Sequence, residues 1–459
     1  MQANILFSNN DQVNSNDSLK HLLQHQSKSY IVTIVDNQLF VVIKDEVAKK
    51  QTLDAVRMLA GDIGRDLSKQ KVDEAVIHAQ DLVTSFADLA EEDLVTAFVE
   101  GWHLGSYEYR TYKSNDHVFV TNLTVESDRD LAQAVVAGKI RAEAMNFSRD
   151  LMNEAPNELN PETFPERLVT AFANTDVKVT VYDQQELEAM EMNGVLAVGR
   201  GSKYAPAFVE ISYCTDDSKP LVALVGKGVT FDTGGISLKG SRDLSDMRMD
   251  MGGAAAVAGA MHLLVKSKAN VNVVALMPIV ENMPDNKSIL PGDVIRYKNG
   301  LNVQIGNTDA EGRLILADAL IRADELKADY VVDIATLTGA IHRALGSKLA
   351  GVFGDDELAK LMKEIGDQNG DFNWPMPLVD DYESYLSSDY ADFSNISNKS
   401  EAGAITAALF LRRFVSDQSK WLHVDMAGVM ESGEKGYYTK SATGYGARLL
   451  ADFATKISK

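Results

Sequence analysis

The sequence predicts a two-domain α/β protein: a smaller N-terminal α/β domain over 1–148, and a larger domain over 149–459 built on a central mixed, largely parallel sheet flanked by helices. Three observations carry this. At 459 residues the chain exceeds what one core usually supports. From about Asn157 onward strand-like runs alternate with helix-forming runs. Several of those strands are apolar throughout, as strands covered on both faces are.

Residues 1–30, rich in Asn, Gln, Asp and Ser, read as a polar beginning with little to bury. "YIVTIVDNQLFVVIK" alternates like two strands paired around Asp36–Asn37. Val47–Leu67 has helical periodicity, "EAVIHA" and "HVFVTNLTV" are strand candidates, and Leu82 to about Leu104 reads as one long helix. Leu131–Met152 is an uninterrupted helix-forming run ending near Ala155–Pro156, expected to connect the domains. Further strands are expected near Val177–Tyr182, Ala207–Tyr213, Leu221–Val225, Val271–Pro278, Tyr330–Ala335 and Trp421–Asp425. "VIRYKNGLNVQIGN" predicts a hairpin with a two-residue turn at Asn299–Gly300.

The composition, 45% hydrophobic and 24% charged, is ordinary for a soluble globular protein. With 66 acidic against 45 basic residues, the formal net charge is −21. That field repels phosphate backbones and anionic membranes, and no basic patch offsets it, so neither nucleic acid nor membrane is an expected partner. The single cysteine, Cys214, fits a reducing compartment, and its setting "FVEISYCT" reads as a buried strand with a packing role. The N-terminus lacks a basic start followed by an apolar core, and the longest weakly polar run, from Gly252, is too short to span a bilayer. A cytoplasmic location is expected.

Ligands of open α/β sheets gather beyond the carboxyl ends of strands, which directs attention to the segments that begin after Val225 and Ile305. "IGNTDAEGRL", Ile305–Leu314, sets Asp309 and Glu311 two residues apart, with Gly312 and Arg313 next in the chain. Thr308 and Glu311 also have the spacing of a helix capping box. The stretch from Gly226 to Ala256, "GKGVTFDTGGISLKGSRDLSDMRMDMGGAAA", holds Lys227, Asp232, Lys239 and Asp250. A phosphate loop is disfavoured because the required Gly and Lys order is absent. An aspartic endopeptidase requires two "DTG" motifs, and only Asp232–Gly234 provides one.

The remaining reading joins the two stretches. Asp232, Asp250, Asp309 and Glu311 supply four carboxylates, whose charge two divalent cations neutralise, and hard oxygen ligands suit Mn²⁺, Mg²⁺ or Zn²⁺. None of the 8 histidines lies near either stretch, and His423 in "WLHVDMAG" reads as a satisfied core residue. Side chains two apart on extended backbone project to one side, so Asp309 and Glu311 are expected to face the metal pair together. Gly312 leaves room, and Arg313 adds a cation beside the cluster.

These words resemble those of the cytosolic leucyl aminopeptidases, exopeptidases with two metal ions per active site. The matches are "NTDAEGRL" at Asn307–Leu314, "VGKGVTFDTGGISLK" at Val225–Lys239 and "MRMDMGGAAA" at Met247–Ala256, supported by "DIATLTGA" and "SATGYGARLL". The resemblance spans roughly 150–459. It implies that Asp232 and Glu311 contact both metals, that Asp309 completes the more exchangeable site, and that Lys227 and Asp250 complete the tighter one. It implies that Lys239 polarises the scissile carbonyl and that Arg313 holds a bicarbonate ion acting as general base, with the backbone at Leu337 on the anion's other side. Asp250 would also orient the substrate amine, and Met247, Thr336 and Gly339 would line a pocket for leucine or methionine. Further implications are Mn²⁺ or Zn²⁺ as the ions, short peptides as substrates, and a homohexamer with sites facing an interior cavity. Some relatives of these enzymes bind DNA as regulators, an alternative that the charge of −21 weighs against.

Overall fold

The computed structural model describes residues 2–24, 28–115 and 117–459. The chain divides into two compact units, Met1–Asn146 with 368–370 and 432–441, and Phe147–Asp367 with Asp371–Glu431 and Ala442–Lys459. The division falls within the helix Ala132–Asn153. Segment 432–441 lies far outside 1–148 in sequence, yet the buried Arg65 of the first unit donates to the carbonyls of Gly436 (2.7 Å) and Tyr438 (2.9 Å).

The first unit is built on β1 (Gln2–Phe7), β2 (Tyr30–Val35), β3 (Gln38–Ile43), β4 (Glu74–His78) and β5 (Asn122–Glu126), in the order β2-β3-β1-β4-β5. β1 is the middle strand, parallel to β3 and β4, with Ala3, Ile5 and Phe7 fully buried. The expected polar beginning is therefore corrected. A short apolar strand hid within a polar composition averaged over 30 residues. β2 and β3 pair antiparallel around Asp36 and Asn37, both at positive φ as a two-residue hairpin turn requires. The expected helix from Leu82 to Leu104 is two helices, Ala79–Ser85 and Glu91–Gly105. Between them Phe86 turns into the core, where its burial outweighs helix continuity.

In the second unit β6 (Lys178–Tyr182), β7 (Ala207–Cys214), β8 (Leu221–Gly226), β10 (Asn272–Asn282), β13 (Tyr330–Ala335), β14 (Ala350–Gly354), β15 (Asn373–Pro375) and β17 (Lys420–Asp425) form one sheet. Its order is β15-β14-β17-β13-β8-β10-β7-β6, and β9 (Gly228–Asp232) pairs with β10. The central strands β17, β13, β8 and β10 run parallel, while β7, β6 and β14 join antiparallel. Ala223 and Val225 share a core with Leu314 and Leu316 of the helix Gly312–Glu325. The helix Gly252–Lys266 packs against β8 and β13, so helices flank the sheet as expected.

Two local expectations are corrected. Cys214 is exposed, because it is the last residue of β7 and alternation turns it away from the buried face that Tyr213 occupies. The hairpin of β11 (Val294–Arg296) and β12 (Asn302–Gln304) has a three-residue loop: Tyr297 N donates to Leu301 O (2.8 Å), Gly300 N donates to Tyr297 O (2.9 Å), and Gly300 takes φ +92°. β12 also pairs with β16 (Phe393–Ser394), which delivers Asn395 to the turn after β12. Among the described residues no helix is long and apolar enough to cross a membrane.

Candidate metal centre

The carboxyl ends of parallel strands supply most of the centre. Lys227 comes directly after β8 and β9 begins one residue later, so no helix opens there as a phosphate loop requires. Its N–H donates to Ile334 O (3.2 Å) and its carbonyl accepts from Ala254 N (2.8 Å), pinning it between β13 and a helix start. Its Nζ lies 2.7 Å from Asp250 Oδ2 and 3.0 Å from Glu311 Oε1, and donates to Thr336 O at 3.0 Å. A Cβ on Gly312 would stand 2.6 Å from Lys227 Cε, so glycine there is what lets the lysine pass.

Asp232 ends β9. Its Oδ1 accepts from Gly234 N and Asn282 Nδ2, both at 2.9 Å, and its Oδ2 lies 2.6 Å from Lys239 Nζ. Lys239 also reaches Asp309 Oδ1 at 2.5 Å. Oxygens of Asp232, Asp309 and Glu311 lie within 4.8 Å of one another, and Asp309, 33% exposed at its side chain, opens the cluster to solvent. Thr336 Oγ1 donates to Asp250 Oδ1 at 2.7 Å.

Asp309 and Glu311 do not sit on extended backbone as expected. Ala310 N bonds Asn307 O (3.3 Å), Asp309 N bonds Asn307 Oδ1 (2.8 Å), and Glu311 is already in the right-handed helical region. A turn, not strand alternation, brings the two carboxylates round. The capping box is also absent: Thr308 Oγ1 donates to Gly234 O (2.6 Å) and accepts from Ser237 N (2.8 Å), and Glu311 caps nothing with its side chain. Tertiary partners have drawn both side chains away.

Arg313 is buried, donating from Nη1 to Asn395 O (2.8 Å), while its Nε finds no partner among the described residues. An unpaired buried guanidinium nitrogen is costly and suits a planar oxyanion. Leu337 N donates to Asp425 Oδ1 (3.2 Å), so in this structure that N–H is directed at a carboxylate. Met247 is half-buried in the short helix Ser245–Met249, its carbonyl accepting from Asp250 N (3.3 Å), and Gly339 is exposed at the start of the helix Gly339–Leu345. Neither belongs to the charged network. His423 Nδ1 meets Asp333 Oδ1 at 2.5 Å in full burial, but Nε2 has no partner among the described residues, so it is only half satisfied.

The electrostatics show a surplus of negative charge. Burial raises Asp250 and Asp232 well above the usual carboxylate range, against the lowering pull of Lys227 and, for Asp232, Lys239. Burial also raises Asp309. Burial opposes ionisation of Glu311 too, but Lys227 and Lys239 outweigh it and hold its carboxyl low. Burial alone would depress both lysines; their carboxylate neighbours reverse this and hold both above the ordinary ammonium range. A neutral Lys227, as a metal ligand must be, therefore needs cations beside it. Burial takes Arg313 down to about 10. Among the described residues Asp250 Oδ2 and Asp309 Oδ1 accept no hydrogen bond and have only an ammonium at ion-pair distance. Four carboxylates against two ammoniums, with oxygens this close, fit divalent cations.

Sequence reasoning missed Asn282, which donates to Asp232; Asp425, which holds the Leu337–Thr338 backbone; and Asn395, whose side chain ties Gly306 N (2.8 Å) and Asn307 O (2.7 Å). Asn282 and Asp425 carry a usable signal: each is the polar last residue of a strand whose middle is mostly apolar.

The chain is similar to known proteins over most of its length. The model of the cytosol aminopeptidase family, catalytic domain, matches residues 146–451, and that of the same family's N-terminal domain matches 48–116. A probable cytosol aminopeptidase of Persephonella marina is 40% identical over 412 residues, covering 88% of this chain and 82% of its own. One from Geobacter sulfurreducens is 40% identical over 417 residues, with the same coverage. Among solved structures, the bottromycin maturation enzyme BotP in complex with Mn superposes with a TM-score of 0.89 at 30% identity, covering 100% of this chain and 99% of that one.

Proposed function

The chain belongs to the cytosol aminopeptidase family, and from that premise we propose that it is a metal-dependent aminopeptidase releasing N-terminal residues, leucine and other large apolar ones preferred, from short peptides. The observation that carries the reading is the meeting of Asp232, Asp250, Asp309 and Glu311 around Lys227 and Lys239. Two divalent ions held there, Mn²⁺ or Zn²⁺, supply the Lewis acidity that makes water a nucleophile near neutral pH.

The chain's own residues account for the rest. Lys227 and Asp250 would hold one ion, Asp309 the other, and Asp232 and Glu311 would serve both. Lys239, partly exposed beside Asp309, is placed to donate to a substrate carbonyl as its oxygen gains charge. Asp250 orients a free α-amine, which an internal peptide bond lacks. With the carboxylates of the cluster committed to cations, a bicarbonate ion on Arg313 would serve as base, a role supported by the Arg313 Nε, which finds no partner among the described residues. Met247, Thr336 and Gly339 would line the side-chain pocket, and the Leu337 N–H would have to leave Asp425 to meet the anion. We infer further that the enzyme acts in the cytoplasm as a homohexamer, whose mass light scattering of the purified protein reads.

The test is hydrolysis of leucine-p-nitroanilide by purified, chelator-stripped protein with Mn²⁺, Zn²⁺, Co²⁺ and Mg²⁺ restored singly. Activity returning with at least one ion is expected. Full activity in chelator, or none with any ion, overturns the proposal.

A further inference from the structure

We propose that Asn282 is a positioning residue that sets how Asp232 and Glu311 stand relative to each other and chooses which oxygen of Asp232 faces the cations. The inference rests on the metal reading above. Asn282 is the last residue of β10 and is 1% exposed. Its Nδ2 donates to Asp232 Oδ1 (2.9 Å) and to Thr308 O (3.0 Å), and lies 3.5 Å from Glu311 Oε2. One amide thus ties the end of β9 to the turn that carries Asp309 and Glu311. Its backbone carbonyl is also used, accepting from Thr233 N (3.1 Å) and Thr233 Oγ1 (2.8 Å).

The strand pairing is built to deliver this contact. Between β9 and β10 the register passes from Val229 opposite Val280 to Asp232 opposite Asn282, one residue more on β9 than on β10. Such a bulge re-aims side chains, and here it brings Asp232 level with Asn282. Gly235 supplies the space: it sits at φ +64°, and a Cβ there would stand 2.7 Å from Asn282 Oδ1.

The chemistry explains an amide. With Gly234 N and Asn282 Nδ2 both on Oδ1, Asp232 keeps Oδ2 for a cation, the oxygen Lys239 now touches. All acceptors facing Nδ2 are oxygens of a charged cluster or a carbonyl, so a neutral donor fits. An aspartate at this point would add a fifth negative charge and present no donor. Partners that orient metal ligands without touching the ion typically govern affinity about 10–100-fold.

The experiment is an Mn²⁺ titration of chelator-stripped wild type, Asn282→Ala and Asn282→Asp, monitored by electron paramagnetic resonance, with thermal melting of each protein without metal. Wild type is expected to take two ions and give an exchange-coupled spectrum. In the variants the second ion should bind at least about tenfold more weakly, and the coupled signal should give way to isolated six-line Mn²⁺. A role in strand packing alone would lower the melting point and leave the coupling intact. Wild-type coupling and affinity retained in either folded variant overturns the proposal. If Asn282→Ala does not fold, Asn282→Asp, nearly equal in volume, decides it. Wild type that binds no ion pair fails the metal reading itself, and this inference with it.

Discussion

Lys227 Nζ stands 2.7 Å from Asp250 Oδ2 with both side chains more than nine-tenths buried. Such a pair is dangerous to break, because the surviving charge has no water to turn to. Lys227→Met is expected to destabilise the metal-free protein by about 3–5 kcal/mol at pH 9.5, above the value of about 8 to which burial raises Asp250, measured by guanidinium unfolding in chelator. The loss should shrink at pH 5, where Asp250, already held high by burial, takes up a proton. An equal loss at both pH values would show that Asp250 is not what the lysine neutralises.

Asp309→Ala or Glu311→Ala should abolish hydrolysis and reduce bound metal, since each removes an oxygen and its charge from the cluster. Arg313→Ala should lower kcat by about 10²–10⁴ while both ions stay bound, because Arg313 acts through the anion it holds. Metal analysis of the dialysed proteins alongside kcat separates the two cases. Full activity in the first pair removes the metal reading; unchanged turnover in the third removes only the role of Arg313.

Gly312→Ala tests the space rather than the charge. The added methyl would meet Lys227 Cδ and Nζ at 2.8 Å, so Lys227 must leave Asp250 and Glu311 or the helix start must shift. Overpacking of this kind costs about 1–3 kcal/mol, and the ion assigned to Lys227 and Asp250 should bind more weakly by calorimetry. Wild-type stability and affinity together would show that the lysine yields freely.

Asp318, on the helix Gly312–Glu325, is fully enclosed and accepts from Val195 N (2.8 Å); burial pushes it up to about 8 against the lowering effect of the Val195 and Gly194 N–H groups. A carboxyl raised in the folded state stabilises fully below its unfolded value near 4 and loses that contribution as pH rises toward 8. Relative to Asp318→Asn, which cannot ionise, wild type should lose about 1.4 kcal/mol per pH unit across that window. Chemical denaturation of both proteins from pH 4 to 8.5 reads the difference. Parallel profiles would mean that Asp318 ionises as freely as in the unfolded chain.

Much of the site was legible because side-chain chemistry and short-range spacing are written locally. Glycine beside Lys227, carboxylates beside glycine and a helix pattern after Arg313 need no fold to be noticed. The apolar period likewise announced β8, β10, β13 and β17. The burial of β1 was not legible, because it depends on becoming the middle strand between β3 and β4.

What the sequence by itself determined is therefore the set of charged groups that cluster and the sheet that carries them. The tertiary structure alone decided that Glu311 lies on a turn entering a helix, that Thr308 bonds the Gly234 loop instead of a helix end, and that Asn282 and Asp425 reach across to it. The reason is physical. Periodicity and composition act over a few residues, whereas these contacts join segments 26 to 88 positions apart, whose meeting is set only by strand order, register and one bulge.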